Sequence, residues 1–293
     1  MPNAAALLER LAATHAIPYR VGTPPQSQQI FTAGGLMLNI IDWGGTGAPI
    51  VFLHGGALTA HTWDLVCLAL CDKFRCVALD LRGHGDSAWA DEYTIGSYVA
   101  DVSAVIAHFG WARAHLVGMS LGGVVAAHYA GGAGREVATL TMVDVGPKPD
   151  FEATAAMRDF VTRPIAELTL DQLVAAAAKA SARDGYDKLL YRYLHMTRGA
   201  PDGRLAWRQD HRRPHDYAHI LGKIDELSDL APTLGCRVLI ARGGRSRILT
   251  DEKVADFARR FRCASWITIP DAGHNIQEDN PAALAMAVSD FVS

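Results

Sequence analysis

The sequence predicts an α/β fold, a mainly parallel sheet of about eight strands with helices on both faces. Three observations carry that expectation. Apolar strand-like runs alternate with helical stretches along most of the 293 residues. Several runs are unbroken in Val, Ile and Leu, as strands buried on both faces require. Glycines and prolines punctuate the junctions, and Pro281 suits a first helical position.

The elements follow in order. Met1 to Ala16 reads as a short amphipathic helix laid on the body. Gln29–Thr32 and Leu36–Trp43, turned by Gly34-Gly35, predict an opening hairpin. Further strands are expected at Ile50–Leu53, Arg75–Leu79, Ala114–Val117, Thr139–Val143, Arg237–Ala241 and Ser265–Ile269. Helices are expected at His61–Leu70, Thr94–Phe109, Leu121–Tyr129, Asp251–Phe261 and Pro281–Val292. From Gly146 to about Asp229 the alternation stops. Helical patterns at Phe151–Val161, Leu170–Ala182, Tyr186–His195 and Asp216–Glu226 predict an all-helical cap inserted after the sixth strand. The expected division is an N-terminal helical extension over 1–28, a core over 29–146 and 230–293, and the cap over 147–229. In an open α/β sheet, ligands bind beyond the carboxyl ends of the strands. An insertion there would roof the site and exclude water.

Composition excludes several classes. A formal net charge of −3 gives no general attraction to nucleic acid or anionic membrane. No run of 18 apolar residues suggests a membrane span. The N-terminal stretch lacks a basic segment followed by an apolar one, so no secretory signal is expected. Five cysteines (Cys67, Cys71, Cys76, Cys236 and Cys263) are an odd number, which suggests reduced thiols in a cytoplasm. Cys67 and Cys71 lie four apart on an apolar helix without a matching Cys/His pair, so they read as core packing rather than a metal site.

The chemistry centres on Gly118-Met119-Ser120-Leu121-Gly122. A strand-like run enters this Gly-x-Ser-x-Gly and a helical run leaves it. Such a turn pushes the serine hydroxyl out of the fold. A serine needs a base, a group that orients the base, and donors for the oxyanion. His274 is the candidate base, on a loop after the last strand and flanked by Gly273. The candidate oxyanion donors are the amides of Leu121 and of Gly56, with Gly55 as the lesser choice. Gly55, Trp63 and Met119 are expected to touch substrate. Trp63 reads equally well as a buried aromatic.

These residues together resemble the α/β-hydrolase superfamily. The resemblance rests on His54-Gly55-Gly56, on Asp80-Leu81-Arg82-Gly83-His84-Gly85-Asp86-Ser87, on Gly118 to Gly122 and on Gly273-His274. The four occur in the family's order and span about residues 29 to 293. The resemblance implies a helical cap, a Ser-His-acid site and a mainly structural Asp80–Ser87 loop. It also implies an aspartate after the strand that follows the cap. That position falls at Arg247, which cannot accept the imidazole N–H.

Three readings remain open. Asp144, at the end of the preceding strand, supplies the acid, as in some serine hydrolases of this fold, or else caps a turn. Alternatively, Ser120 and His274 act as a dyad oriented by a carbonyl or water. Or the chain is a weak or ligand-binding relative. Asp251 and Glu252 read as partners of a helix dipole, and Asp271 as a turn cap. Arg208, Arg212, Arg213, Arg242, Arg245 and Arg247 read as solvated loop charges before substrate clamps. The expected activity is hydrolysis of an ester or other activated carbonyl of a small molecule. No metal or organic cofactor is called for. Cofactor-free oxygenation or perhydrolysis is the third option. Oligomeric state stays open, a homodimer included.

Overall fold

The computed structural model describes residues 2–19, 25–132, 137–149, 165, 167–180, 184–199, 204–212 and 222–293. The expected helix at 151–161, most of that at 216–226, and Arg213 lie outside these residues.

An eight-stranded sheet forms the centre. Its strands are β1 (Gln26–Phe31), β2 (Met37–Gly44), β3 (Pro49–Leu53), β4 (Arg75–Leu79), β5 (Ala114–Met119), β6 (Val137–Val143), β9 (Arg237–Gly243) and β10 (Ala264–Ile269). Their spatial order is β1-β2-β4-β3-β5-β6-β9-β10. The pairs β1·β2 and β2·β4 are antiparallel, and every pair from β4 to β10 is parallel. All six residues of β5 are buried, which explains its unbroken apolar run. The opening hairpin turns at Gly34-Gly35, where Thr32 N–H donates to Leu36 O at 3.0 Å.

Helices cover both faces. One apolar layer joins the sheet to α1 (Ala4–Thr14), α2 (Asp64–Leu70) and α9 (Pro281–Val292). The other joins it to α3 (Ile95–Phe109), α4 (Leu121–Gly132) and α7 (Asp251–Ala258). Side-chain caps set several helix starts: Asn3 accepts from Ala6 N, Thr94 from Ser97 N, Thr250 from Lys253 N, and Asn280 from Ala283 N, each at 3.2 Å. The amphipathic α1 buries Leu7, Leu8, Leu11 and Ala12.

The segment between β6 and β9 contains α5 (Leu170–Ala180) and α6 (Tyr186–Met196). It is not all helical. Strands β7 (Thr197–Gly199) and β8 (Leu205–Trp207) pair antiparallel directly after α6. Three-residue strands are too short for an alternation signal, and only the cross-strand pairing defines them. Because β6 and β9 are neighbours in the sheet, this whole segment is an insertion between adjacent parallel strands. Tyr191, Arg192 and Lys188 of α6 pair with Asp64, Glu278 and Asp279 of the body. Glu278 and Asp279 lie in the short helix α8 (Ile276–Asp279).

Candidate active site

The strand order reverses at β3, which has β4 on one side and β5 on the other. The carboxyl ends of these strands flank the crevice where ligands of open α/β sheets bind. His54-Gly55-Gly56 leaves β3 there, and Ser120 leaves β5.

Ser120 stands at φ +50°, in the left-handed region that costs a non-glycine residue roughly 1–3 kcal/mol. Its surroundings hold it there. Ser120 N–H donates to Val143 O of β6 at 3.2 Å, and α4 begins at the next residue. A Cβ on Gly118 would lie 2.3 Å from Gly122 O, and one on Gly122 would lie 2.2 Å from Leu53 O. No side chain fits at either place, so the turn closes only with glycines there. Gly122 N–H also donates to His54 O at 3.1 Å, fastening the β3 loop to the start of α4. Leu121, the first residue of α4, has an N–H without an intrahelical acceptor.

Asp144 follows β6 directly, at φ +48°, and is fully buried. A lone buried carboxylate is costly, and this one is surrounded by donors. Gly243 N–H donates to Oδ1 at 3.1 Å, and Ser246 Oγ donates to Oδ2 at 2.5 Å. His274 Nδ1 lies 2.8 Å from the same Oδ2. An ionised carboxylate only accepts, so Nδ1 carries a proton, and in the neutral imidazole Nε2 is then the nitrogen with the lone pair. The histidine is thereby held in the tautomer that can accept a proton. The nitrogen that a carbonyl or water would orient in a dyad is bonded to a carboxylate instead.

The loop after β9 holds no carboxylate in this position. Arg247 is exposed. Arg242 donates to Leu249 O and pairs with Asp251, and Arg245 pairs with Asp271. What this loop offers is the Ser246 hydroxyl and the Gly243 amide. Sequence reasoning passed over both, because neither side chain is ionisable. The only hint was a small polar residue beside the unexpected arginine.

Met119 is buried, with its sulfur against Gly55. Trp63 is fully buried, its ring 5.3 Å from that of Phe52. The expected substrate contact by Trp63 is therefore corrected: the indole is part of the core, because the one-turn helix Ala60–Trp63 points it inward. A partly open cleft lies where α6 faces the Ala60–Trp63 turn. Leu58, His61, Thr62, Tyr191, His195 and Gln277 are among its walls, and neither Ser120 nor His274 is.

The Asp80–Ser87 loop is tied down by its own residues. Asp80 accepts from Asn39 Nδ2, Ala60 N and Asp86 N at 2.8, 2.6 and 3.0 Å. Arg82 forms a two-pronged pair with buried Asp101. His54 Nε2 accepts from Leu81 N–H at 3.0 Å, and Nδ1 donates to Gly55 O at 2.7 Å. Burial pushes the His54 pKa down to about 4, so it stays neutral with both nitrogens used. It has no capacity left to act as a base.

A sequence model of the alpha/beta hydrolase family matches residues 50–287. Esterase Rv0045c of Mycobacterium tuberculosis is 33% identical over 264 residues, spanning 84% of this chain and 83% of its own. The 3-hydroxybutyrate-oligomer hydrolase of Cupriavidus necator is 29% identical, spanning 90% of this chain and 96% of its own. A crystal structure of the Mycobacterium esterase superposes with a TM-score of 0.79 at 26% identity, covering 99% of this chain and 98% of that one.

Proposed function

The chain belongs to the alpha/beta hydrolase family, and from that premise we propose that it is a serine hydrolase of small-molecule esters. One observation carries the reading. The carboxylate that orients a catalytic histidine stands at Asp144, 2.8 Å from His274 Nδ1, while Ser120 occupies a strained turn at a neighbouring strand end. Its esterase and hydrolase relatives support an ester as the substrate class.

In this mechanism Ser120 Oγ attacks the ester carbonyl as His274 Nε2 takes its proton. The amides of Leu121 and Gly56 receive the oxyanion, aided by the positive end of α4. Collapse of the tetrahedral intermediate expels the alcohol, which takes the proton from His274. Water, deprotonated by the same imidazole, then attacks the acyl-serine and releases the acid. Asp144 stabilises the imidazolium formed in each half-reaction. The segment 147–229 acts as the cap over this site, the core comprises 29–146 and 230–293, and residues 1–28 form an extension. Met119 and Gly55 shape the wall beside the nucleophile.

Ser120→Ala is expected to abolish hydrolysis of a short p-nitrophenyl ester, and a fluorophosphonate probe to label Ser120 in the unaltered protein. Unchanged turnover in the variant, or a folded protein that resists the probe, overturns the assignment. The latter would favour a ligand-binding role.

A further inference from the structure

Apart from Ser120, a second group of chemically capable side chains gathers where the insertion meets the body. His61 sits in the one-turn helix Ala60–Trp63, Asp64 begins α2, and His195 comes from the last turn of α6. One ligand atom of each lies within 4.8 Å of those of the other two. His61 Nδ1 is 2.7 Å from Asp64 Oδ2. The two imidazole rings stack, with centroids 3.7 Å apart and planes 26° from parallel.

The Asp64 carboxylate is buried and oriented by outer partners. Trp43 Nε1 donates to Oδ1 at 3.1 Å, and the Tyr191 hydroxyl donates to Oδ2. Carboxylate ligands of metal ions are held in this way. His195 contributes a second, independent observation. Its Nε2 is buried and has no hydrogen-bond partner. Leaving such an atom unmatched is costly. A neutral imidazole presents such a nitrogen lone pair to a metal ion. The cleft lined by both histidines gives a path in from solvent.

We propose that His61, Asp64 and His195 form a binding site for a divalent transition-metal ion of the zinc class, with water completing the coordination. Two imidazoles and one carboxylate suit Zn²⁺, Co²⁺ or Ni²⁺ rather than Mg²⁺ or Ca²⁺, which prefer all-oxygen shells. Bonds of about 2.0–2.1 Å put tetrahedral ligand atoms about 3.3 Å apart, so His61 and Asp64 would open slightly from 2.7 Å and the more distant ligand atoms would close in from within 4.8 Å. The ion displaces the proton shared by His61 and Asp64. It also ties α6 of the insertion to the segment that follows Gly55-Gly56, so it acts as a clamp between insertion and body. Metal binding here is independent of whether Ser120 is the nucleophile.

The test is calorimetric titration of the chelator-treated full chain with Zn²⁺. The expected result is one site, with affinity reduced at least about tenfold in each of His61→Gln and His195→Gln, since even outer-shell losses cost that much. The exposed His108→Ala is expected to bind as the unaltered protein does. Zn²⁺ should raise the melting temperature of the unaltered protein and not of His195→Gln, with circular dichroism confirming that both variants fold. Co²⁺ should give visible bands without a thiolate charge-transfer band. Undiminished Zn²⁺ binding in the double variant, a thiolate band lost in Cys263→Ser, or no Zn²⁺ binding at all overturns the proposal.

Discussion

The carboxyl ends of β6 and β9 are neighbours in the sheet, and they carry opposite charges. β6 ends in Asp144, fully buried and given donors by Gly243, Ser246 and His274. β9 and its loop carry Arg242, buried and donating to Leu249 O, Arg245, paired with Asp271, and Arg247, which faces solvent. In the family pattern the acid belongs to the second of these ends. Here the two loops divide the work: one holds the carboxylate and the other holds the groups that keep it there. A carboxylate can reach His274 from β6 because the sheet sets only the approximate position of each strand end. What the histidine needs is an oxygen near Nδ1, from whichever neighbour reaches.

The sharpest way to break this contrast is Asp144→Asn. An amide presents a donor as well as an acceptor and no longer favours the imidazolium. Turnover of a p-nitrophenyl ester is expected to fall about 10²- to 10⁴-fold, with little change in KM. A fall of less than tenfold would transfer the role away from β6. Adding Arg247→Asp to that variant asks whether the two ends are interchangeable. We expect recovery of less than a tenth of the lost activity, because position 247 is exposed; full recovery would make the strand of origin irrelevant. Ser246→Ala removes one of three donors from a carboxylate that keeps the other two. Its expected cost is about 1 kcal/mol, or roughly fivefold in kcat. Arg247→Ala is the smallest change, under about twofold in kcat/KM, since an exposed charge is well screened. A larger drop would draw that arginine into substrate binding.

Much of the fold was legible because its signals are local. The unbroken run in β5 reflects burial on both faces. Gly118 and Gly122 mark a turn that admits no Cβ. Pro281 and Asn280 mark a helix start. The insertion was less legible. Its two three-residue strands carry no period, and only pairing between Thr197 and Trp207 reveals them. Trp63 had two readings, and local pattern gave no choice between them. Its burial depends on where Phe52 of β3 lies, across the sheet face from it.

The candidate site divides in the same way. The sequence by itself determined a serine on a strand-to-helix turn, a late histidine beside a glycine, and a glycine-rich loop after an earlier strand. Each follows from steric rules that act within a few residues. Tertiary structure alone decided that Asp144, rather than anything near Arg247, meets His274 Nδ1. It also decided that Ser246 supports that carboxylate, and that His61, Asp64 and His195 converge. Asp144 and His274, Asp144 and Ser246, and His195 and the His61–Asp64 pair are far apart in the chain. Their meeting depends on strand order and on how the loops pack, and neither leaves a trace in short-range pattern.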